Sequence, residues 1–190
     1  GKELPDTLEN TTWGGTAWSA DDTYLFYVTA DDAMRPHQVW RHKVGTTQSD
    51  DVMVFEDSDE RFFVGISASR SGDWIFIDSS SKTSSETWML STHKPTDPIQ
   101  LIRERRDDIE YQVDHWGDAL AIVTNEHAED FMVCVAPVSA PSQWTPLVPH
   151  TPGARIIQFE CFQDFAAMQR WEQGQQVLSF VTRKGTITAL

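Results

Sequence analysis

Residues 16–29 read TAWSADDTYLFYVT, and a similar stretch returns at residues 67–79 as SASRSGDWIFIDS. In both stretches a tight polar turn, rich in Ser, Asp or Gly, precedes a short run of apolar and aromatic residues. Turns of this composition beside β-branched and aromatic runs are typical of β-hairpins. The two stretches therefore predict two copies of one hairpin, which lie 50 residues apart along the chain.

The same hairpin pattern occurs four times. The second strand of each copy begins near residues 24, 74, 119 and 165, so the steps are 50, 45 and 46 residues. The turns before these strands are SADD (19–22), SRSGD (69–73), HWGD (115–118) and FQD (162–164). Two further short strands follow each hairpin. Four strands in roughly 45 residues are typical of one blade of a β-propeller.

The repeat predicts an all-β fold, a β-propeller fragment of about four blades with four antiparallel strands each. The predicted blades span residues 13–60, 61–108, 109–152 and 153–190, and residues 1–12 are interpreted as the tail of a preceding blade. An immunoglobulin-like sandwich also has closely spaced strands, but it does not repeat its turn chemistry every fourth strand. Because closed rings of four blades are uncommon, we expect the chain to be part of a larger ring.

Composition narrows the classes of function. The chain has 190 residues and a formal charge of −14, with 29 acidic against 15 basic side chains. Such a charge argues against nucleic acid or an anionic membrane as a partner, and it is compatible with cationic ligands. The apolar runs are too short for a membrane helix. Cys134 and Cys161 lie in alternating apolar runs, which predicts two buried free thiols and a cytoplasmic protein.

One motif resembles a catalytic site. Residues 78–88 read DSSSKTSSETW, and Ser79 and Lys82 fit the S-x-x-K pattern of some acyl-transfer enzymes. That chemistry requires a helix, whereas this run is predicted to lie in a hairpin, so we interpret it as a polar turn. The histidines show no metal-ligand spacing and are interpreted as solvated or singly bonded, and the tryptophans as core residues. The sequence therefore predicts no catalytic, cofactor-binding or metal-binding residue and no cofactor.

Several separated segments resemble the propeller of the prolyl oligopeptidase family of serine peptidases, in particular its oligopeptidase B branch. These segments are residues 35–46 (RPHQVWRHKVGT), 59–63 (DERFF), 79–86 (SSSKTSSE), 110–115 (EYQVDH) and 144–150 (WTPLVPH). They follow one another in the order that the family has. The resemblance covers nearly the whole chain and is weakest after Phe165.

The resemblance implies a seven-bladed propeller that caps an α/β-hydrolase domain of the same polypeptide. The catalytic serine, aspartate and histidine would belong to that domain, so none of them transfers to a position in this chain. The chain would be part of a gate that admits short basic peptides to an enzyme that cleaves after Arg or Lys. By itself it would be inert, and its negative charge would raise the local concentration of basic peptides.

Two other functions remain open from the residues alone. The chain is compatible with a stand-alone propeller that serves as a protein-interaction module. It is also compatible with a small hydrolytic propeller that has carboxylates at the centre of the ring. If the chain is cut from a larger ring, its open blade faces and strand edges favour self-association.

Overall fold

The computed structural model describes residues 4–190, which contain sixteen β-strands in four antiparallel sheets. The first sheet contains β1 (Thr11–Trp18), β2 (Tyr24–Ala30), β3 (Pro36–Lys43) and β4 (Val52–Glu56), and the second contains β5 (Phe63–Ala68), β6 (Trp74–Ser80), β7 (Ser85–Ser91) and β8 (Gln100–Arg103). The third contains β9 (Tyr111–Trp116), β10 (Ala119–Thr124), β11 (Met132–Pro137) and β12 (Thr145–Val148), and the fourth contains β13 (Ala154–Cys161), β14 (Phe165–Glu172), β15 (Gln175–Thr182) and β16 (Ile187–Ala189). In each sheet the strands lie side by side in chain order.

The helical content is one 3-10 turn, Gln48–Asp50, in the described part of the chain. Residues 4–190 accordingly include no helix of the length and apolarity that crossing a bilayer requires. The prediction of an all-β fold with sheets of four antiparallel strands is confirmed. All sixteen predicted strands are present, and β10 and β15 have the predicted bounds.

The largest difference from the predicted strands is at β1: the apolar pattern predicts a strand over residues 15–18, whereas the strand begins at Thr11. The pairing of β1 with β2 shifts between Thr11 and Thr16, so the strand is irregular where Gly14 and Gly15 lie. A glycine pair hides such a strand from pattern analysis because it contributes no side chain to the alternation. The predicted blade limits at residues 13, 61, 109 and 153 remain a prediction.

The chain divides into two compact units, Gly1–Lys82 with Glu86–Leu101, and Thr83–Ser85 with Ile102–Leu190. In the first unit one face of the first sheet packs on the second sheet. The core side chains are Ala17, Phe26, Val28 and Val39 from the first sheet, and Val64, Ile66, Ile75, Ile77 and Leu90 from the second. Burying each branched or aromatic side chain of this size stabilises the fold by about 1.5–3 kcal/mol.

The second unit has a core of the same kind. Trp116, Ala121, Val133 and Val148 from the third sheet meet Ile156, Cys161, Ala166, Met168 and Val181 from the fourth. Cys134 and Cys161 are both buried free thiols, as the sequence predicts.

The repeated turn between the first and second strands has a repeated hydrogen bond. In the first sheet the Ser19 hydroxyl accepts the N–H of Tyr24 at 2.9 Å, and in the second the Ser69 hydroxyl accepts the N–H of Trp74 at 3.1 Å. In the first turn Asp21 also accepts the Ser19 hydroxyl, and hydrogen bonds from Ser19 and Thr23 lower the pKa of Asp21 to about 2. The serine therefore closes the turn by binding the first residue of the next strand.

Gly15 allows β1 and β5 to approach closely within the first unit. Its φ is +99°, and a Cβ at this position would lie 2.4 Å from the carbonyl oxygen of Ile66. A side chain here would therefore meet backbone and also adopt an unfavourable conformation.

We expect Gly15→Ala to lower the free energy of unfolding by more than about 2 kcal/mol, since strain and overpacking add. Gly45→Ala is the matched control, because Gly45 has a φ of +85° but no atom within 4 Å of the added Cβ. Urea unfolding of both variants measures the difference. Equal losses in the two variants would show that the close approach of the strands contributes nothing.

Candidate functional site

The serine-rich run lies in a β-hairpin, as the sequence predicts, because β6 ends at Ser80 and β7 begins at Ser85. Ser79 is fully buried, and its hydroxyl donates to the carboxylate of Asp57 at 2.5 Å. No helix follows it to bring Lys82 alongside. The run therefore lacks the geometry of an S-x-x-K nucleophile.

The later serines of this hairpin hold the segment that leads to the third sheet. The Ser85 hydroxyl accepts the N–H of Tyr111 at 2.7 Å and donates to the Tyr111 carbonyl oxygen at 2.9 Å. The Ser84 hydroxyl accepts the N–H of Asp108 at 3.1 Å. These bonds fix the chain immediately before β9, so the run is a structural element.

Arg35, in the hairpin between β2 and β3, also holds the segment that leads to the next sheet. One of its terminal nitrogens donates to the carbonyl oxygens of Asp57 and Asp59, both at 3.2 Å, and to that of Phe62 at 2.9 Å. Its Nε donates to the Asp31 carboxylate at 2.9 Å. This buried guanidinium therefore fixes the segment that leads from the first sheet to the second.

Asp130, in the hairpin between β10 and β11, makes a third contact of this kind with a linker. The carboxylate of Asp130 accepts the N–H of Gly153 at 2.6 Å, and the N–H of Asp130 lies 3.2 Å from Nε2 of His150. We call these three contacts linker clamps: Arg35, the Ser84–Ser85 pair and Asp130. In each, the hairpin between the second and third strands of a sheet holds the linker to the next sheet.

The most connected polar cluster surrounds His42 on β3. Its Nδ1 lies 2.7 Å from Oδ1 of Asp51, and its Nε2 lies 3.3 Å from Oδ2 of Asp6. Tyr27 donates its hydroxyl to the other oxygen of Asp51 at 2.7 Å, and the Gly45 N–H donates to Asp6 at 2.7 Å. His42 is 2% exposed, so its interpretation as a solvated or singly bonded imidazole is wrong.

The electrostatics of this cluster favour a charged imidazole. Burial by itself lowers the pKa of His42, but the bonds and charges of Asp51 and Asp6 outweigh it and hold this pKa above 6.5. The Gly45 N–H, together with His42, holds the pKa of Asp6 below 3.8 against the effect of burial. Burial and the bond to Asp51 raise the pKa of Tyr27 to about 12. Both ring nitrogens of His42 face carboxylate oxygens, and the Tyr27 hydroxyl binds Asp51 rather than His42, so we interpret the cluster as structural.

Trp13 and Phe63 form an aromatic pair at the surface of the first unit. Trp13 is 74% exposed and Phe63 is 45% exposed, and their ring centroids lie 6.5 Å apart with 30° between the planes. The interpretation of the tryptophans as core residues is therefore wrong at this position, as it is at Trp18 and Trp171. Two large exposed rings that stack on each other are a surface on which a ligand could bind.

The pair lies where the two sheets of the first unit come closest. Trp13 is on β1 and Phe63 begins β5, which are the first strands of their sheets. A Cβ on Gly14 would lie 2.9 Å from the Val64 carbonyl oxygen, so the backbones approach to near contact beside the rings. The two residues are also 50 positions apart, the same step as between the first two hairpins. That step was the signal in the sequence that could have identified the pair.

The residues that the structure describes contain no group of three or more His, Cys, Asp or Glu side chains arranged to hold a metal ion. The candidate site is therefore the exposed pair Trp13–Phe63, together with the His42 cluster that fixes the chain ahead of β1.

Comparison with known proteins shows that one protein family matches nearly the whole chain. Residues 1–189 match the sequence family described as prolyl oligopeptidase, N-terminal beta-propeller domain. The chain is 38% identical over 175 residues to Protease 2 of Moraxella lacunata, covering 92% of this chain and 25% of that protein. It is 32% identical over 190 residues to dipeptidyl aminopeptidase BI of Pseudoxanthomonas mexicana, covering 98% of this chain and 26% of that protein.

Solved structures of the same kind match the fold. Oligopeptidase B from Trypanosoma brucei with covalently bound antipain, in its closed form, superposes with a TM-score of 0.87 at 30% identity, over 95% of this chain and 26% of that one. Oligopeptidase B from Leishmania major superposes with a TM-score of 0.91 at 25% identity, over 99% of this chain and 28% of that one. The chain thus spans about a quarter of the length of the proteins that it matches.

We expect Ser85→Ala to lower the free energy of unfolding by about 1–3 kcal/mol, because it leaves the N–H and the carbonyl oxygen of Tyr111 without these bonds. Ser80→Ala in the same hairpin is the control, since Ser80 is exposed and its loss is expected to stay within about 0.5 kcal/mol. Chemical denaturation gives the two values, and amide exchange at residues 108–111 locates the effect. An unchanged exchange rate there would contradict the clamp.

Proposed function

Because the chain belongs to the prolyl oligopeptidase family, in the region of its N-terminal β-propeller domain, we propose that it is a gating part of a serine oligopeptidase. The observation that supports this role is the exposed aromatic pair Trp13–Phe63 on the converging first strands of two sheets. The catalytic α/β-hydrolase domain is its proposed partner, elsewhere in the same polypeptide. Alone, the chain is expected to hydrolyse nothing.

The proposed gate selects peptides by size. Blades of a propeller surround a central channel, and the strands that converge most closely are those nearest the axis. In the first unit these are β1 and β5, so Trp13 and Phe63 are proposed to face the channel. A flexible peptide can pass such an opening, whereas a folded protein is too wide.

The proposed substrates are short peptides that contain Arg or Lys. Guanidinium and ammonium groups bind the faces of aromatic rings, and Trp is the most favourable ring for this contact. The charge of −14 adds a long-range attraction for the same groups. The likeness to two oligopeptidase B structures supports cleavage after Arg or Lys, which is proposed for the whole protein.

We also propose that the protein is cytoplasmic. Two buried free thiols, Cys134 and Cys161, are compatible with the reducing environment of the cytoplasm. The thiols therefore support this proposal.

The fourth sheet supports the prediction that the isolated chain self-associates. The face of this sheet away from the core carries large exposed side chains. On that face Leu178 lies opposite Gln169, and Phe180 lies opposite Ala167. Leu178 is 46% exposed, and Phe180 and Trp171 are exposed as well. An apolar face of this kind is expected to associate with a second copy when no other sheet covers it.

The gating proposal is tested by Trp13→Ala in the full-length peptidase. We expect KM for a dibasic peptide to rise about three- to tenfold with kcat unchanged, because the ring binds the peptide but takes no part in bond cleavage. A peptide that keeps the basic residue at the cleavage position and carries uncharged citrulline at the other basic position is expected to show a smaller change.

Trp18→Ala is the matched control, because Trp18 is 45% exposed on the same strand and is not stacked on Phe63. Equal KM changes for Trp13→Ala and Trp18→Ala, or equal changes for the charged and the citrulline peptide, would contradict a cation-binding role.

Self-association is tested with Leu178→Lys and the control Met34→Lys, which add the same charge. Met34 is 71% exposed in a turn of the first unit and does not belong to the fourth sheet. Sedimentation velocity of the isolated chain at increasing concentration is expected to show association for the unmodified chain and for Met34→Lys, and less for Leu178→Lys. A monomeric unmodified chain at every concentration would refute the prediction.

A further inference from the structure

We propose that His42 is a positioning residue that ties the segment ahead of β1 to the first sheet in a pH-dependent way, and so controls the placement of Trp13. We call this segment, residues 5–9, the strap. The strap itself is independent of the gating function, and only its effect on peptide binding rests on that proposed function.

The geometry at His42 requires both ring nitrogens to donate. Nδ1 faces a carboxylate oxygen of Asp51 at 2.7 Å, and Nε2 faces a carboxylate oxygen of Asp6 at 3.3 Å. A carboxylate can only accept, so the arrangement is complete only when the imidazole carries two protons. In the neutral ring one nitrogen would present a lone pair to a negative oxygen. Because the Asp6 contact is longer, it is the one expected to break.

A second contact ties the strap to the same cluster. The side-chain amide of Gln48 accepts the N–H of Glu9 at 2.9 Å and donates to the Glu9 carbonyl oxygen at 3.0 Å. The same nitrogen of Gln48 lies 3.2 Å from the hydroxyl of Tyr27, which in turn donates to Asp51. The bond between His42 and Asp6 and the bonds between Gln48 and Glu9 are therefore linked through Asp51 and Tyr27.

The strap lies directly ahead of the aromatic pair. Glu9 precedes β1 by two residues and Trp13 by four. The N-terminal part of β1 has only the pairing of Thr11 with Thr29 before the irregular segment that ends at Thr16. The position of Trp13 over Phe63 thus depends on a short paired segment that the strap anchors from one side.

The charged groups that face His42 are two carboxylates, Asp6 from the strap and Asp51 from the turn ahead of β4. The neutral hydroxyl of Tyr27 on β2 binds Asp51, and the Gly45 N–H, after β3, binds Asp6. With two carboxylates around one imidazole, the cluster carries one net negative charge when the imidazole is protonated and two when it is neutral. Loss of the proton therefore adds repulsion as well as removing a bond.

The direction of the pH effect follows from the raised pKa of His42. A raised pKa means that the stabilisation is fully present below about 6.5, the ordinary value, and is lost as pH rises through the higher value of the folded state. At the acid end the limit is Asp6, whose lowered pKa keeps it charged until the pH falls below its ordinary range. The strap is therefore held in mildly acidic solution and released as the pH rises through the raised pKa of His42.

The test is amide exchange of residues 6–12 in the intact protein across about pH 5 to 10, corrected for the intrinsic exchange rate. We expect protection of this segment to fall severalfold as the pH rises through the raised pKa of His42. In Asp6→Asn the protection is expected to become independent of pH there, because an amide can pair with either form of the imidazole. A merely structural contact would lose protection in that variant without losing its pH dependence.

His42→Gln and the control His93→Gln complete the test. His42→Gln is expected to remove the pH dependence, whereas His93, an exposed histidine 3.3 Å from Asp73, is expected to have no effect on the strap. If His42→Gln does not fold, Asp6→Asn still decides the matter, since Asp6 lies in the strap and outside the sheets. Protection that stays flat with pH in the unmodified protein would overturn the proposal.

Peptide binding separates this inference from the proposed function. If the strap opens as the pH rises and KM for the dibasic peptide rises in parallel, both hold. If the strap opens and KM does not change, Trp13→Ala separates the two: a raised KM in that variant shows that the strap does not control the placement of Trp13, and an unchanged KM shows that the proposed function fails alone. If the strap does not open, the inference fails whatever happens to KM.

Discussion

Face-to-face burial of neighbouring sheets is the constraint on which the rest of the structure depends. Each sheet has too few strands to be stable with both faces in water, and within each unit one sheet covers the apolar face of the next. In the first unit this packing also brings β1 and β5 into near contact at Gly14 and Gly15. The exposed pair Trp13–Phe63 follows from that contact, since two rings can stack only where their strands are adjacent.

Polar bonds hold the linkers that lead from one sheet to the next. Apolar packing is not directional, so it does not by itself determine how a linker leaves one sheet and enters the next. Arg35, the Ser84–Ser85 pair and Asp130 bind backbone groups of these linkers and so help to satisfy them. The serine-rich hairpin, which resembles a nucleophile motif in the sequence, belongs to this set.

The fold was predictable from the sequence because its signal is repeated. Alternation of apolar residues and the polar turns between first and second strands are local properties, and four copies of them identified every strand. The roles of His42 and Trp13 were not predictable in this way. The two carboxylates on His42 come from positions 36 residues before and 9 residues after it, and no local pattern relates them. The 50-residue step relates Trp13 to Phe63, but Trp13 resembles a core residue in composition, so its exposure was not predictable from the sequence.

The linker clamps also change what counts as one repeat in this chain. The chemistry differs at each clamp, a guanidinium in one, two hydroxyls in another and a carboxylate in the third, so a hairpin is matched to the linker of the following sheet. The division into units reflects this, because Thr83–Ser85 groups with Ile102–Leu190 rather than with its own strands. A module suited to recombination between homologues would therefore run from one hairpin tip to the next, with its junctions offset by half a sheet from the visible sheet boundaries.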